Sequence, residues 1–342
     1  MNSDIFLFPE MLISDIDLTE CEPIETHSKI IDSSEVKIKK SPDEQHFIFH
    51  FAIHEITNYK LKVFIGYVIK FIRSIHPSIQ QIEGYSLFNK KFENSLSNKR
   101  DEFSLSIITP YKDLILDQIK PKGIILNPTQ KTIIAYGIVN AMLYLVNKNI
   151  FNGDLKITNI ALDSNLYPIL LNVGIPQIRY QLSSRKKDLS SFVDINITAP
   201  EIFLPNSQFT EKSDIYSFGH ILAFLYLNSI PKMTLVDEAV PPDTLITLIK
   251  DLNVRPNRDI FYSNQDPSKQ DPIILLIQKC WDPNPDLRPT FKEIFEKFEK
   301  NQLFFKETNL KKDGDFEKYK NYIKKEENEI LQKFNFSSIN VK

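Results

Sequence analysis

The stretch NIFNGDLKITNIALD, Asn149 to Asp163, sets Asp154, Lys156 and Asn159 in a D-x-K-x-x-N arrangement bounded by apolar residues. Polar loops produce such spacings by chance, so the weight of the match lies in what flanks it. On the N-terminal side Asn127 is a candidate N-cap with Pro128 at the first helical position, where a missing N–H costs nothing, and the apolar pattern predicts a helix through Asn147. On the C-terminal side a small strand-and-loop insert occupies Phe151 to Val173. An irregular segment then reaches Glu201, and further helices follow to about Gln302. The Lys/Glu-rich stretch Lys306 to Gln332 sets Phe316, Tyr319, Tyr322 and Ile323 at helical spacing and reads as an appended helix. A charged run of this kind is more often a solvated helical face than a binding site.

Ahead of the helical part the pattern is strand-like. EVKIKK (Glu35 to Lys40), a turn-rich SPDE (Ser41 to Glu44) and HFIFHFAIH (His46 to His54) read as a hairpin, with Phe47, Phe49, Phe51 and Ile53 on one face. A metal site at His46, His50 and His54 is the less economical reading, because no Cys or carboxylate cluster lies near them. A helix over Tyr59 to Ile75 ends before Pro77. Two short strands follow, QIEGYSLF and FSLSIIT, joined by an exposed loop from Asn89 to Asp101. The expected organisation is an extension (1–20), a small strand-rich part with one helix (21–110), a larger helical part (111–302) and a charged helical tail (303–342). The fold class is α+β, and the absence of an internal repeat argues against a solenoid.

Composition narrows the class further. Glycine supplies 8 of 342 residues, against a usual share of about 7%, and none precedes Gly66, which excludes a Gly-rich phosphate loop near the N-terminus. With 42 Lys+Arg against 44 Asp+Glu the formal charge is -2, so nothing in the balance favours nucleic acid or an anionic membrane as partner. Cys21 and Cys280 form no metal-type or redox-type pair, which suits a reducing compartment. The start carries Asp4 and Glu10 and no basic region of a signal peptide, and the longest apolar stretch, around Ile221 to Leu227, is too short to span a bilayer. A cytoplasmic protein is expected.

Asn149 to Asp163 resembles the catalytic loop of the protein kinases. That resemblance implies that Asp154 orients and accepts the proton of a substrate hydroxyl, Lys156 neutralises phosphate charge and Asn159 ligates a metal ion. Other segments match in order. Ala135 to Ile150 resembles the helix before that loop, and Ser104 to Tyr111 the last small-lobe strand running into the hinge. Ala199-Pro200-Glu201 matches the A-P-E triplet, and KSDIYSFGHILAFLYL from Lys212 resembles the central helix with its Asp at Asp214. CWDPNPDLRPTFKEI, Cys280 to Ile294, is similar to the closing motif of the tyrosine-kinase-like group. The resemblance covers roughly residues 20 to 302 and implies a two-lobed kinase-like fold. It further implies a buried Glu201–Arg288 pair and backbone hydrogen bonds to Asp214, which a catalytically dead member needs equally.

The resemblance also shows what is missing. The phosphate-covering loop falls near Pro23 to Ser33, where PIETHSKIIDS has no glycine. The implied nucleotide site comprises Ala52, His54, Thr109, Tyr111 and Asn172. Strand order favours His54 over Lys39, in VKIK, for the position of the small-lobe Lys, and Thr109 guards the back of the pocket. Tyr67 stands where the helix Glu belongs. If Lys39 were the true Lys, Glu55 would be its partner by spacing, yet it lies too far before His76. Asp-Phe-Gly becomes Asn172-Val173-Gly174, so the metal ligands reduce to Asn159 and Asn172 and the site loses a full charge. Asn152-Gly153 replaces the His-Arg before the catalytic Asp, leaving no cation to read an activation-loop phosphate.

These features imply a pseudokinase that acts in signalling by protein interaction, with ATP and Mg²⁺ binding weak or absent. An active or weakly active Ser/Thr kinase using Asp154 as base is the alternative. A third reading makes the tail from Lys306 a docking helix for a protein partner.

Overall fold

The computed structural model describes residues 22–23, 35–41, 44–53, 57–82, 84–86, 103–110, 112–182, 194–229, 242–251, 256, 271–312 and 314–335. His54, Glu55, Tyr111, the phosphate-loop segment after Pro23 and the Asn89–Asp101 loop therefore lie outside the described residues. The chain divides into two compact units. The first holds residues 1–75, 80–112 and 177–187, and the second 76–79, 113–176 and 188–342.

Among its described residues the first unit has five strands, β1 (Glu22–Pro23), β2 (Glu35–Ser41), β3 (Glu44–Ile53), β4 (Gly84–Ser86) and β5 (Phe103–Pro110), with a helix α1 (Asn58–Ile72) between β3 and β4. All pairings are antiparallel, in the order β1-β2-β3-β5-β4. The expected hairpin is present as β2 and β3, with Lys37 opposite Phe47 and an irregularity between Lys39 and Ser41. Thr57 caps α1 by accepting the Lys60 N–H, and Phe64, Val68 and Phe71, spaced by four and three, form its buried stripe. The helix stops at Ile72 instead of Ile75. The Ser74 hydroxyl donates to the Lys70 carbonyl, and Ser74 N–H turns back to Phe71, so the backbone has left the helix before Pro77.

The second unit is organised around α2 (Pro128–Asn147), which begins at the expected residue. Asn127 and Gln130 exchange side-chain to backbone hydrogen bonds of 2.9 Å in a capping box. α2 is buried nearly all round, which marks a central helix. The strands β6 (Ile160–Leu162) and β7 (Pro168–Leu170) pair antiparallel, and Ile79 bridges to Leu170 in parallel. Helix α3 (Ile175–Leu182), which belongs from Gln177 onward to the first unit, corrects the sequence reading, which had an irregular segment here. Ile175, Ile178 and Leu182 are buried at helical spacing, too short a run to stand out by period alone. There follow α4 (Glu211–Leu227), α5 (Pro242–Asp251), α6 (Pro272–Cys280) and α7 (Phe291–Glu299). Capping boxes start α4, from Thr210 to Ser213, and α7, from Thr290 to Glu293.

The last helix, α8 (Asp315–Asn335), starts nine residues later than the composition suggested. The backbone N–H groups of Phe305 and Asn309 donate to the hydroxyls of Thr132 and Thr129 on the first turns of α2, and Glu307 has a φ of 73°. That segment is therefore bound to α2 in a non-helical form. α8 in turn packs on α2, where the rings of Phe316 and Tyr319 meet Tyr136; both are fully buried, as is Ile323 one turn on. The apolar face that a free docking helix would offer is engaged within its own chain. Tyr322, on the flank of the same stripe, is 36% exposed and packs on Tyr167.

Candidate active site

The Asp154 loop is held from beneath by α4. Asp214, in its first turn, accepts the Asn152 N–H at 2.7 Å on one carboxylate oxygen and the Gly153 N–H at 2.9 Å on the other. Beyond these two anchored N–H groups the chain turns toward Asp154 through Gly153, whose φ of +73° lies in the left-handed region that glycine adopts without strain. A Cβ at Gly153 would also press on the Phe209 ring at 3.1–3.2 Å. Burial pushes the Asp214 carboxyl up to about 7, against the two N–H groups that pull it down. The N–H of Asp154 closes a local turn on the Asn152 side-chain oxygen at 3.0 Å. The sequence reading treated Asn152 only as a lost His, yet an Asn two residues before the Asp is the signal of that turn. Asn152 Nδ2 is buried with no hydrogen-bond partner among the described residues.

Asp154, Lys156 and Asn159 come together as expected. Lys156 Nζ lies 2.9 Å from Asp154 Oδ2, and Asn159 Nδ2 donates to the same oxygen at 2.8 Å and to the Asp154 carbonyl at 2.9 Å. Burial raises the Asp154 carboxyl above the usual range, and the Lys156 charge and the Asn159 bond work against it. Asn172 follows β7, which pairs with β6 directly after Asn159, and Leu171 N–H donates to the Asn159 carbonyl. Its side chain reaches the same cluster, but in the opposite sense to the sequence reading. Asn172 Nδ2 donates to Asn159 Oδ1 at 3.0 Å, so a donor stands where a ligand carbonyl was expected.

Glu201 and Arg288 also meet. Arg288 is 1% exposed and grips the carboxylate with both terminal nitrogens, at 2.6 and 2.9 Å. It further donates to the carbonyls of Lys212 and Asp282 and lies over the Tyr216 ring. Such a fork fixes the loop before α4 against the turn before α7.

In the first unit, Ala52 lies on β3 opposite Ser104, and Lys39 lies on β2 opposite Gln45. Thr109, on β5 opposite Phe47, is 5% exposed, and its hydroxyl has no hydrogen-bond partner among the described residues. Tyr67 lies on α1, half-buried and stacked on Phe71, with its phenol pushed up by burial and by Tyr59. α1 carries Lys60, Lys62 and Lys70 and no acidic residue.

A family model for protein tyrosine and serine/threonine kinases matches residues 97–298. Receptor-interacting serine/threonine-protein kinase 1 of Homo sapiens is 31% identical over 175 residues, 47% of this chain and 24% of that protein. A probable serine/threonine-protein kinase of Dictyostelium discoideum is 24% identical over 288 residues, 80% of this chain and 20% of that protein. The megakaryocyte-associated tyrosine-protein kinase of Rattus norvegicus is 31% identical over 175 residues, 48% of this chain and 31% of its own length. The chain thus spans less than a third of each of these relatives.

Proposed function

Because the chain belongs to the protein tyrosine and serine/threonine kinase family, we propose that it is a pseudokinase, acting in cytoplasmic signalling through a protein partner, with weak or no ATP binding. The observation that carries this reading is the charge inventory of the Asp154 loop. Phosphoryl transfer rests on positioning and on neutralising phosphate charge, for which an active kinase sets a metal-binding carboxylate beside the Asn of its catalytic loop. Among the described residues the cluster holds one carboxylate, Asp154, already ion-paired with Lys156, and two carboxamides.

The family implies ATP with Mg²⁺. A hard divalent cation takes six or more oxygen ligands, anionic ones foremost. Asn159 Oδ1 is engaged by an N–H donor, and no group of three or more His, Cys, Asp or Glu among the described residues could hold a metal ion. The donor set does not fit Mg²⁺. The first unit supports the same reading, since α1 offers no carboxylate to pair with a small-lobe cation at either His54 or Lys39. No helix among the described residues is long and apolar enough to cross a membrane.

The alternative, an active or weakly active Ser/Thr kinase, draws support from the intact Asp154–Lys156–Asn159 set. Thermal-shift titration with ATP, with and without Mg²⁺, separates the two. The pseudokinase reading expects no Mg²⁺-dependent rise in Tm and no phosphate transfer to protein hydroxyls. Transfer that Asp154→Ala abolishes would sink it.

A further inference from the structure

Resting on the reading of a degenerate kinase site, we propose that the Asn172–Asn159 amide pair is a built-in replacement for the divalent cation. It closes the site to metal in the native chain, and a single carboxylate at position 172 reopens it. The orientation of both amides follows from their partners. One end of the Asn159 carboxamide faces the Asp154 carbonyl at 2.9 Å and Asp154 Oδ2 at 2.8 Å. Both are acceptors, so that end is the NH₂ group and the oxygen points at Asn172. Asn172 must then present its own NH₂, which it does at 3.0 Å. Its backbone has a φ of 58°, in the left-handed region that Asn tolerates better than most residues.

The consequence is electrostatic. A cation reaching Asn159 Oδ1 would have to displace the positive end of an amide dipole, with the Lys156 ammonium close by on Asp154 Oδ2. The hydrogen bond does for Asn159 what a metal would do: it gives the oxygen of a buried side chain a partner and ties the strand after residue 167 to the Asp154 loop. In Asn172→Asp two acceptor oxygens face each other about 3 Å apart, an arrangement relieved only by a proton or a cation between them.

The test uses the purified full chain, its Asn172→Asp and Asn172→Ala variants, and MgCl₂ or MnCl₂ as the probe, without nucleotide. The native Tm is expected to be indifferent to either ion beyond the ionic-strength effect of the same chloride concentration of a monovalent salt. Asn172→Asp is expected to melt below native in EDTA and to recover by several degrees with saturating Mn²⁺ or Mg²⁺. Asn172→Ala is expected to be destabilised and unresponsive. A saturable divalent-ion stabilisation of the native chain overturns the proposal, as does an Asn172→Asp response no larger than that of Asn172→Ala. If Asn172→Asp does not fold, electron paramagnetic resonance of Mn²⁺ with the native chain decides. Stoichiometric binding lost in Asn159→Ala overturns the proposal, and its absence supports it. Metal-independent phosphate transfer that needs Asp154 would sink the pseudokinase reading and leave the amide bridge standing. Metal binding by native chain without transfer would do the reverse.

Discussion

Gly153 shows why reversion to the family's residues is not a free change. Its φ of +73° turns the chain from the Asp214 anchor toward Asp154, and its missing side chain leaves room for Phe209. Gly153→Ala is expected to lower stability by about 1–3 kcal/mol, measured by urea denaturation, through the left-handed backbone and the contact with Phe209. Gly153→Arg, which restores the family's letter, should be at least as destabilising. The sequence made the position conspicuous and left its reason invisible: an absent Arg is read from letters, whereas a left-handed φ comes from the partners the peptide must meet. The same holds at Asn172. Its identity promised a carbonyl, and only the donors and acceptors around Asn159 reveal that its nitrogen faces inward. Asp154, Lys156 and Asn159 were legible because their spacing within one loop already brings them together.

At the scale of elements, caps were the most readable signal and loops joined to distant helices the least. Asn127 and Pro128 announced α2 to the residue, since capping is local chemistry. The start of α8 was misplaced because Thr129, far back in the chain, takes the Asn309 N–H that a helix over 306–314 would need, and Thr132 anchors Phe305 just ahead of it. The contact of α8 with α2 turns on Gly137, where a Cβ would overlap the Tyr319 hydroxyl and lie 2.5 Å from Pro168 Cγ. That hydroxyl also lies 3.1 Å from Ser78 Oγ. Gly137→Ala is expected to cost about 1–3 kcal/mol from overpacking, and Tyr319→Phe about 1 kcal/mol from the lost hydrogen bond. Their combination should cost less than the sum by about 0.5–1 kcal/mol, because removing the hydroxyl relieves part of the clash. A double-mutant cycle by chemical denaturation measures this, and strict additivity would mean that the two groups do not meet.

For the whole molecule, two buried groups bias stability in opposite directions over one pH range. Burial pushes His220 down to about 4, where Trp281 Nε1–H donates to its Nδ1. The unfolded chain binds that proton near 6.5, so acidification from 6.5 toward 4 favours unfolding through His220. Asp214 holds its proton up to about 7 when folded and releases it near 3.9 when unfolded, so through this group stability falls as pH rises across the same interval. Each group tilts stability by about 1.4 kcal/mol per pH unit while only one state holds the proton. Their slopes oppose each other between about 4 and 6.5. Removing His220 should unmask the carboxyls, among them Asp154, which burial also raises: His220→Gln is expected to lose stability as pH rises from 4.5 to 6.5, and Asp214→Asn to change its slope toward gain relative to the native chain. Denaturation midpoints at fixed ionic strength give both signs. Neither group was singled out from the sequence for its titration, because burial is a property of the finished core.

The family match ends at residue 298, yet the buried core continues to Ile323. Recognition and foldability thus have different borders. The pairing of Gly137 with Tyr319 carries this into comparison between sequences: a relative with an equivalent terminal helix should keep the smallest residue at that helix position, whereas one without it is released from the constraint. A graft of this tail onto a cousin would take only if the glycine travelled with it.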